Sequence, residues 1–487
     1  MDNMDDFFTE KGKKLIIFSV SILVVFLVLF HFTDTPMPWV DEGVYTETAR
    51  NIAMHGVMGM QIEPGKYFSM RNFLLSSSYP VILPVSASIQ LFGIGIWQSR
   101  LPMVLYMFLF LVASYLFVKK KYGFYHALVA VGLILSFSPF YGNGRPVQGE
   151  VAGLTFIVLG AWLSLFWEKS GFTSRKWAFL SGLFFGLASA TKPIYFMIFS
   201  LAVVLSLLLW FKKFKDKKVL LSFAIGFLVP ISIWIYIHIP TIDSFLKFVS
   251  VSIYLAGTHG SSVSTGQTIA INSLKFLTES TPILFMFLFV TTLIAFIARL
   301  FRKKESIFNL AEYIIFSFIV LNLLAYLPGT GWYRYFFPAH VLLYLLFPAA
   351  ISAISFVFNK IVFKKTILLI PVILIIFQFV HLIFYSDTRF TAEFNRSRGL
   401  QEVLSGIKPE QTVFFHQASE AIIFLKHDNY SQYFNMGNFF VFGDKDQLEK
   451  PSTDFILVRG HYYDFPCYEK KEVNRYDFFK KIADCKK

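Results

Sequence analysis

Residues 15–32, LIIFSVSILVVFLVLFHF, form an uninterrupted apolar run that decides the class of protein. At 1.5 Å per helical residue, a run of this length crosses a hydrocarbon layer of roughly 30 Å. The run is longer than the apolar region of a usual signal peptide, and no small-residue cleavage site follows it before Trp39. We therefore expect it to stay in the protein as a membrane anchor.

Similar apolar runs recur along the chain as far as Tyr385, which predicts an all-α polytopic membrane protein. The chain has 487 residues, of which 55% are hydrophobic, and its mean hydropathy of +0.57 is well above what a soluble domain needs. We predict about eleven transmembrane helices, at residues 15–32, 101–118, 124–140, 150–167, 177–190, 194–211, 219–238, 281–300, 309–327, 339–358 and 366–385.

The basic residues predict how these helices are oriented. The net charge of +14 is spread over short clusters between the apolar runs, such as Lys119–Lys121, and no single basic patch suits a nucleic acid. The lipid bilayer is the expected partner. Loops rich in Lys and Arg stay in the cytoplasm, so we expect a cytoplasmic N-terminus and an extracytoplasmic first loop at residues 33–100.

The composition becomes polar after residue 385, which divides the chain into two predicted domains. Residues 1–385 form the transmembrane domain, and residues 386–487 form a small soluble α/β domain outside the membrane. Thr412–Phe415 and Asp454–Val458 read as short strands, with a helical stretch near Ala418–Lys426.

The cysteines and histidines carry no metal-binding motif. Cys467 and Cys485 have no zinc-finger spacing, and they could pair if the C-terminal end faces an oxidising compartment. His55, His259 and His340 lack any HExxH pattern, so structural or solvent-exposed roles are favoured for all three.

The first candidate for chemistry is the pair of adjacent acids in PWVDEGVYTETARNIAMHG, residues 38–56. Asp41 and Glu42 stand just beyond the first predicted span. Like charges repel at short range, so one carboxylate is expected to be drawn to a cation or to stay partly protonated, which suits proton transfer. The alternative is that both acids cap an interfacial helix and lie in water.

Helical spacing sorts the residues that follow these acids. If residues 41–54 are helical, Asp41, Tyr45 and Thr48 share one face and Arg50 lies on the other. Asp41 would also be stabilised by its position near the N-terminus of that helix.

Other ionisable residues lie at the ends of apolar runs. Arg145 and Glu150 stand five residues apart, and Lys192 and Arg334 are isolated cations close to prolines. Charged groups at the lipid boundary often face a wet cavity, and a phosphate bound there needs such cations. The alternatives are an Arg145–Glu150 ion pair that closes two helix ends, and snorkelling side chains without function.

Several motifs occur together in one known order. The sequence resembles the GT-C superfamily of membrane glycosyltransferases, and most closely the branch with protein O-mannosyltransferases, the aminoarabinose transferases that modify lipid A, and transferases of bacterial surface polysaccharides. The resemblance covers most of residues 10–385 and leaves the C-terminal domain without a relative. It is carried by Asp41-Glu42 with Tyr45, YPVILPVSASIQLFG (79–93), SRLP (99–102), FSP (137–139), Arg145 with Glu150, GLASATKP (186–193) and RYFFP (334–338).

The resemblance implies a sugar donor linked through phosphate to a polyprenol and a single inverting displacement. Asp41 would be the general base for the acceptor hydroxyl, and Glu42 and Glu150 would orient the acceptor or balance charge. The expected substrate-binding residues are Tyr45 together with three cations, Lys192, Arg334 and Arg145, which would stabilise the departing phosphate.

The sequence also departs from the family pattern. Glu150 stands where many relatives have Asp, and Gln148 lies close by, so the site could suit a different sugar. No cofactor is expected, although Asp41, Glu42 and Glu150 together could bind a divalent ion.

Two other functions are compatible with the sequence. A transporter or flippase of lipid-linked sugars would also need many spans, but its ionisable groups should lie near the bilayer midplane. An inactive relative could act as a scaffold. The sugar, hexosyl or pentosyl, and the envelope acceptor, a glycan, lipid A or a protein, are not determined, and we expect the plasma membrane of a prokaryote.

Overall fold

The computed structural model describes residues 9–69, 77–214, 216–256, 264–301, 309–355, 361–386, 398–435, 441–443, 452–460, 463–473 and 475–482. Most of them are helical. The helices are α1 Glu10–Leu29, α2 Val40–His55, α3 Tyr79–Phe92, α4 Ile96–Tyr122, α5 Phe124–Ser136, α6 Ser138–Gly144, α7 Glu150–Lys169, α8 Arg175–Ser189, α9 Ser200–Trp210, α10 Lys217–His238, α11 Ile242–Ala256, α12 Thr265–Thr278, α13 Ser280–Phe301, α14 Leu310–Tyr326, α15 Tyr333–Ser355, α16 Ile361–Phe384 and α17 Arg398–Ser405.

Seven helical stretches of the described part are long and apolar enough to cross a membrane, and the bent pair α5–α6 raises this number to eight. Six of the seven lie in α1, α4, α7, α10, α13 and α15, and the seventh is Tyr195–Lys213, in which a short π-helix at Tyr195–Phe199 continues into α9. The bend between α5 and α6 is 69°. Each of the eleven predicted segments falls on a helix, but the count of eleven spans is not confirmed. The segments predicted at 177–190 and 309–327 correspond to α8, with 15 residues, and α14, with 17, which are shorter than a usual span.

Small residues let α8 and α10 pack backbone to backbone. A Cβ on Gly182 or Gly186 of α8 would overlap backbone atoms of Phe223 or Phe227 in α10, and a Cβ on Gly226 would overlap the backbone of Phe179. Close contacts of this kind are typical of helix pairs in membranes. Within the described spans, α15 is the most enclosed, with 89% of its apolar window buried, and it carries Arg334 in its first turn.

The C-terminal region forms a six-stranded mixed sheet. Its strands are β3 Val413–His416, β4 Tyr430–Asn435, β5 Val441–Phe442, β6 Phe455–Arg459, β7 Tyr468–Val473 and β8 Tyr476–Lys481. In the described part the strand order is β5-β4-β3-β6-β8-β7, with β3 parallel to both β4 and β6 and the other pairs antiparallel. Both predicted strands are present as β3 and β6, while the predicted helical stretch is a 3₁₀ turn at Ser419–Phe424.

The predicted first loop contains further secondary structure in addition to α2. A short hairpin follows it, with β1 at Gly59–Glu63 and β2 at Lys66–Ser69, and α3 lies further along. Cys467 is disulfide-bonded, and Cys485 and His259 lie outside the described residues.

The C-terminal sheet rests directly on α2. The guanidinium of Arg50 forms an ion pair with Asp428 and donates to the carbonyl oxygens of Leu425 at 2.9 Å and His427 at 2.6 Å. At Gly43, α2 approaches the 3₁₀ turn so closely that a Cβ would overlap the backbone of Glu420. The first loop and the C-terminal sheet therefore pack as one unit around α2.

Replacing Gly43 by Ala tests this close approach. The added methyl group has no room against the backbone of the 3₁₀ turn, so Gly43→Ala should lower the free energy of unfolding by about 1–3 kcal/mol. Thermal unfolding of the purified protein measures the loss. The control is Gly142→Ala in α6, where a Cβ would meet no atom within 4 Å. Equal stability of both variants would contradict the packing described above.

Candidate active site

α2 places the two acids on different sides of one helix. The helix begins after Trp39 and ends at Gly56, which has the left-handed backbone that favours glycine, with φ of 70°. Asp41 and Glu42 lie in its first turn, where the helix dipole stabilises negative charge. Successive helical residues are about 100° apart, so the two carboxylates reach different neighbours.

Asp41 forms an ion pair with Arg334. The Nη1 atom of Arg334 lies 2.5 Å from Oδ2 of Asp41, across 293 positions of sequence. Both side chains stay partly accessible, with 20% of Asp41 and 15% of Arg334 exposed. In a partly exposed ion pair of this kind, either group can exchange its partner for a charged ligand, because neither group has to leave a dry interior.

Three aromatic rings surround the guanidinium of Arg334. Its Cζ lies 4.6 Å from the ring centroid of Trp39, 5.1 Å from Trp332 and 4.9 Å from Tyr335. The Nη2 atom also donates to the Tyr335 hydroxyl at 3.0 Å. Cation–π contacts hold the guanidinium plane in place beside Asp41. These rings were not predicted as site residues, although they flank the RYFFP motif and the acidic pair.

Glu42 points into the protein and is bound by Arg100. The Nε and Nη2 atoms of Arg100 donate to the two carboxylate oxygens at 2.7 Å each, and neither side chain is exposed. Arg100 also donates to the carbonyl oxygens of Phe32 and Pro36, at 2.8 Å each. This fully buried pair fixes α2 and the segment before it, and it leaves Glu42 out of contact with the accessible part of the site. Arg100 lies in the SRLP motif but was not predicted as a site residue.

Arg145 does not contact Glu150, so the interpretation as a helix-closing ion pair is wrong. Its Nη2 atom donates to the carbonyl oxygens of Leu27 at 2.9 Å and Phe30 at 2.8 Å, and its Nη1 donates to the Thr35 hydroxyl at 2.6 Å. Arg145 is buried. It therefore holds the segment between α1 and α2, and both of its terminal nitrogens are occupied by protein oxygens.

Glu150 instead pairs with Lys192, and both side chains are buried. Glu150 lies at the N-terminus of α7, after Gly149 in the left-handed region, and Lys192 follows the end of α8. The second carboxylate oxygen of Glu150 is buried without a hydrogen-bond partner in the described part of the chain. This orphan acceptor leaves Glu150 with one hydrogen-bonding position to offer a ligand.

Tyr45 is buried within electrostatic reach of both ion pairs. Burial raises the pKa of its hydroxyl well above the ordinary value, the negative charge of Asp41 adds to the rise, and the positive charge of Arg334 opposes it, with Glu150 as a further negative neighbour. Tyr45 therefore stays protonated and can donate a hydrogen bond. Its surroundings show that Asp41, Arg334 and Glu150 belong to one electrostatic cluster.

The structure thus brings together five of the seven predicted site residues and separates two. Within the described residues no group of three or more His, Cys, Asp or Glu side chains could hold a metal ion, and Asp41, Glu42 and Glu150 each contact a different basic residue. His55 contacts Asp428 at 3.1 Å, and buried His340 contacts the Tyr333 hydroxyl at 2.9 Å. The clustered residues are Asp41, Tyr45, Glu150, Lys192 and Arg334.

Comparison with known proteins identifies the fold. ArnT from Cupriavidus metallidurans bound to undecaprenyl phosphate is similar with a TM-score of 0.66, at 13% sequence identity, over 98% of this chain and 100% of that chain. The apo form of the same protein gives a TM-score of 0.61 at 14% identity, over 98% and 99% of the two chains. The chain has the GT-C fold.

More distant matches agree with this fold. The apo Archaeoglobus fulgidus oligosaccharyltransferase, of which 70% is covered, is similar over 92% of this chain with a TM-score of 0.50 and 11% identity. The family model described as dolichyl-phosphate-mannose-protein mannosyltransferase matches residues 82–237, which include Glu150 and Lys192. No curated protein matches the sequence.

These findings confirm the resemblance predicted from the sequence and extend it. The sequence offered no relative for the C-terminal domain, whereas the structural similarity to ArnT covers nearly the whole chain. The GT-C fold and the many apolar helices indicate a multi-pass membrane protein.

The buried ion pair between Glu42 and Arg100 is expected to stabilise the fold. Glu42→Gln leaves the Arg100 charge buried without its counter-ion, so the free energy of unfolding should fall by about 3–5 kcal/mol. Thermal unfolding in detergent measures the change. The matched control is Glu402→Gln, which removes an exposed ion pair with Arg398 and should change little. Wild-type stability of Glu42→Gln would show that the pair does not anchor α2.

Glu47 makes the junction between α2 and the C-terminal sheet sensitive to pH. Its Oε1 atom accepts hydrogen bonds from the Tyr430 hydroxyl at 2.9 Å, the Gln432 amide at 2.7 Å and the backbone N–H of Gln61 at 2.8 Å. Burial raises the pKa of Glu47 from 4.5 to about 7, against the opposing effect of these hydrogen bonds and of Arg50. Near neutral pH the carboxyl is thus partly protonated in the folded protein.

The junction should loosen as the pH rises. The unfolded carboxyl loses its proton near pH 4.5 while the folded one keeps it to about pH 7. The contribution of Glu47 to stability is therefore greatest below pH 4.5 and falls across this range. Each pKa unit corresponds to about 1.4 kcal/mol. Hydrogen-exchange protection of β4, corrected for intrinsic rates, should fall between pH 5 and pH 8 in the wild type and stay level in Glu47→Gln. A parallel fall in both proteins would assign the effect to another group.

Proposed function

We propose that this chain is an inverting glycosyltransferase that moves a sugar from a polyprenyl-phosphate donor to an acceptor in the cell envelope. The observation that carries the proposal is the accessible carboxylate of Asp41, held beside Arg334 and near the Glu150–Lys192 pair on a GT-C fold. A base and two cations in one cluster suit the transfer of a sugar away from a phosphate.

The proposed reaction is a single displacement at the anomeric carbon. The acceptor hydroxyl gives its proton to Asp41 as its oxygen bonds to the anomeric carbon, and the bond from that carbon to the phosphate oxygen breaks. The electron pair of that bond leaves with the polyprenyl phosphate. Positive charge at Arg334 and Lys192 stabilises this developing negative charge.

The two resting ion pairs indicate an order of binding. Arg334 is paired with Asp41 and Lys192 with Glu150 before any ligand arrives. A donor phosphate competes with these carboxylates for the same cations, and guanidinium groups bind phosphate oxygens through several N–H donors. Donor binding would therefore release Asp41 from Arg334, so the base becomes free when the donor is in place.

The remaining predicted residues divide by their contacts. Tyr45, with its protonated hydroxyl beside Asp41, would donate to a substrate oxygen, and the orphan oxygen of Glu150 would accept from the acceptor or the sugar. Glu42 and Arg145 are given positioning roles, because their charged groups are bound to protein atoms in the interior.

In the proposed orientation the protein lies in the plasma membrane of a prokaryote, and this site is on the extracytoplasmic side of that membrane. α4 runs from Arg100 beneath α2 to Lys119–Lys121 at its other end, a distance of roughly 30 Å at 1.5 Å per residue. Basic clusters favour the cytoplasmic side, which leaves α2 and the C-terminal sheet on the opposite side. A glycan, lipid A or a protein would then be the acceptor.

Transfer by the purified full-length protein tests the proposal. The wild type is incubated with a panel of polyprenyl-phosphate sugars and a membrane extract that supplies acceptors, beside Asp41→Asn and a control, Asp243→Asn, at an exposed acid of α11. We expect transfer by the wild type and the control and a loss of at least 100-fold in Asp41→Asn, because the base is gone.

Two outcomes would contradict the proposal. Equal transfer by wild type and Asp41→Asn would remove Asp41 from the chemistry. Absence of transfer from every donor would favour a transporter of lipid-linked sugars or a scaffold without catalytic activity.

A further inference from the structure

α12 contacts the turn that leads into Arg334. The turn lies between α14, which ends at Tyr326, and α15, which begins at Tyr333. The side-chain nitrogen of Asn272 donates to three carbonyl oxygens of this connection, at 3.3 Å for Tyr326, 3.0 Å for Leu327 and 2.9 Å for Gly329. Asn272 is buried, and its two N–H groups are shared among three backbone oxygens away from water.

A second set of contacts fixes the end of the turn. The Nζ atom of Lys275 lies 2.9 Å from the carbonyl oxygen of Gly331, and the Tyr326 hydroxyl donates to the same oxygen at 3.2 Å. Gly331 has φ of +67°, and a Cβ at this position would overlap Asn272. α12 and the turn therefore fit each other without room for a side chain between them.

α12 has an exposed apolar outer face, and its buried inner side carries the polar Asn272 beside Phe276. Ile271, Leu274 and Leu277 are 53%, 56% and 77% exposed, while Asn272 is buried on the inner side. An apolar outer face suits contact with lipid. A buried amide costs free energy unless its hydrogen bonds are made, so the inward position of Asn272 is explained by the carbonyl groups that it binds.

We propose that Asn272, assisted by Lys275, is a positioning residue that sets the place of Arg334 in the site. The inference rests on the proposed function, in which Arg334 binds the donor phosphate. Gly331 is three residues before Arg334, and Trp332, which contacts the guanidinium, follows Gly331 directly. When the turn is released, the guanidinium moves relative to Asp41, and small displacements at a reacting centre can lower the rate about 100-fold.

Hydrogen exchange tests the structural half of this proposal without any substrate. Asn272→Asp keeps the shape of the side chain but turns a carboxylate oxygen towards the three carbonyl groups. We expect amide exchange across residues 327–335 to rise at least tenfold, because the amides of Gly329 and Tyr335 donate to the carbonyl oxygens of Tyr326 and Trp332 in this connection. The matched control is Leu274→Ala on the outer face of the same helix, which should leave exchange unchanged. Unchanged exchange in Asn272→Asp would overturn the proposal.

Lys275→Met gives a milder variant in case Asn272→Asp does not fold. Met keeps most of the length of the side chain and removes the ammonium group together with its hydrogen bond to Gly331. Its exchange should rise in residues 330–335 more than in residues 326–329. A rise spread evenly over the whole protein would indicate general destabilisation and count against a local positioning role.

A kinetic double-mutant cycle tests whether Asn272 acts through Arg334. With the donor found in the transfer assay, Asn272→Asp should lower kcat/KM for the donor about 10–100-fold, mainly through a higher KM. In an Arg334→Ala background the same substitution should cause no further loss, because the residue that it positions is absent. Equal losses in both backgrounds would overturn the proposal. If the wild type transfers no sugar, the proposed function fails, and the exchange experiment still decides the role of Asn272 in holding the turn.

Discussion

The buried ion pair between Glu42 and Arg100 is the interaction on which the site depends. α2 is not among the described helices that are long and apolar enough to cross a membrane, so its position must be set by other contacts. The two-point contact with Arg100 ties it to the beginning of α4 instead. Such a pair is costly to break because a single buried charge would be left behind. With Glu42 fixed inwards, the neighbouring Asp41 is directed to another side of α2, where Arg334 lies.

The C-terminal sheet holds α2 from the side opposite Asp41. Arg50 forms an ion pair with Asp428 in the chain before β4, and Glu47 accepts hydrogen bonds from β4 and from Gln61 in β1. Gly43 lets the backbones of α2 and the 3₁₀ turn come together. A domain that looks separate in the sequence thereby becomes part of the support of the candidate active site. The structural similarity to ArnT covers 98% of this chain and so includes the C-terminal sheet.

Pairing divides the charged residues of the site into two classes. Arg100 and Arg145 are bound to carbonyl or carboxylate oxygens in the interior, and they join the segment between α1 and α2 to the bundle. Arg334 is partly exposed and paired with Asp41, and Lys192 is buried with a single carboxylate partner. In the proposed reaction the second class exchanges carboxylate oxygens for phosphate oxygens, while the first class keeps the backbone in place.

The sequence by itself determined the features that depend on local composition and spacing. The apolar runs, the helix around Asp41 with Arg50 on another face, and two strands of the C-terminal sheet could all be predicted, because hydropathy and side-chain periodicity act over neighbouring residues. The family motifs also predicted Asp41, Glu150, Lys192 and Arg334 as site residues. Only the tertiary structure decided the partners. Asp41 and Arg334 are 293 positions apart, Glu42 and Arg100 are 58 apart, and the expected neighbours Arg145 and Glu150 do not meet. Which charges meet is set by how the helices pack, and a charge near a helix end carries no local signal of the partner that packing will bring to it.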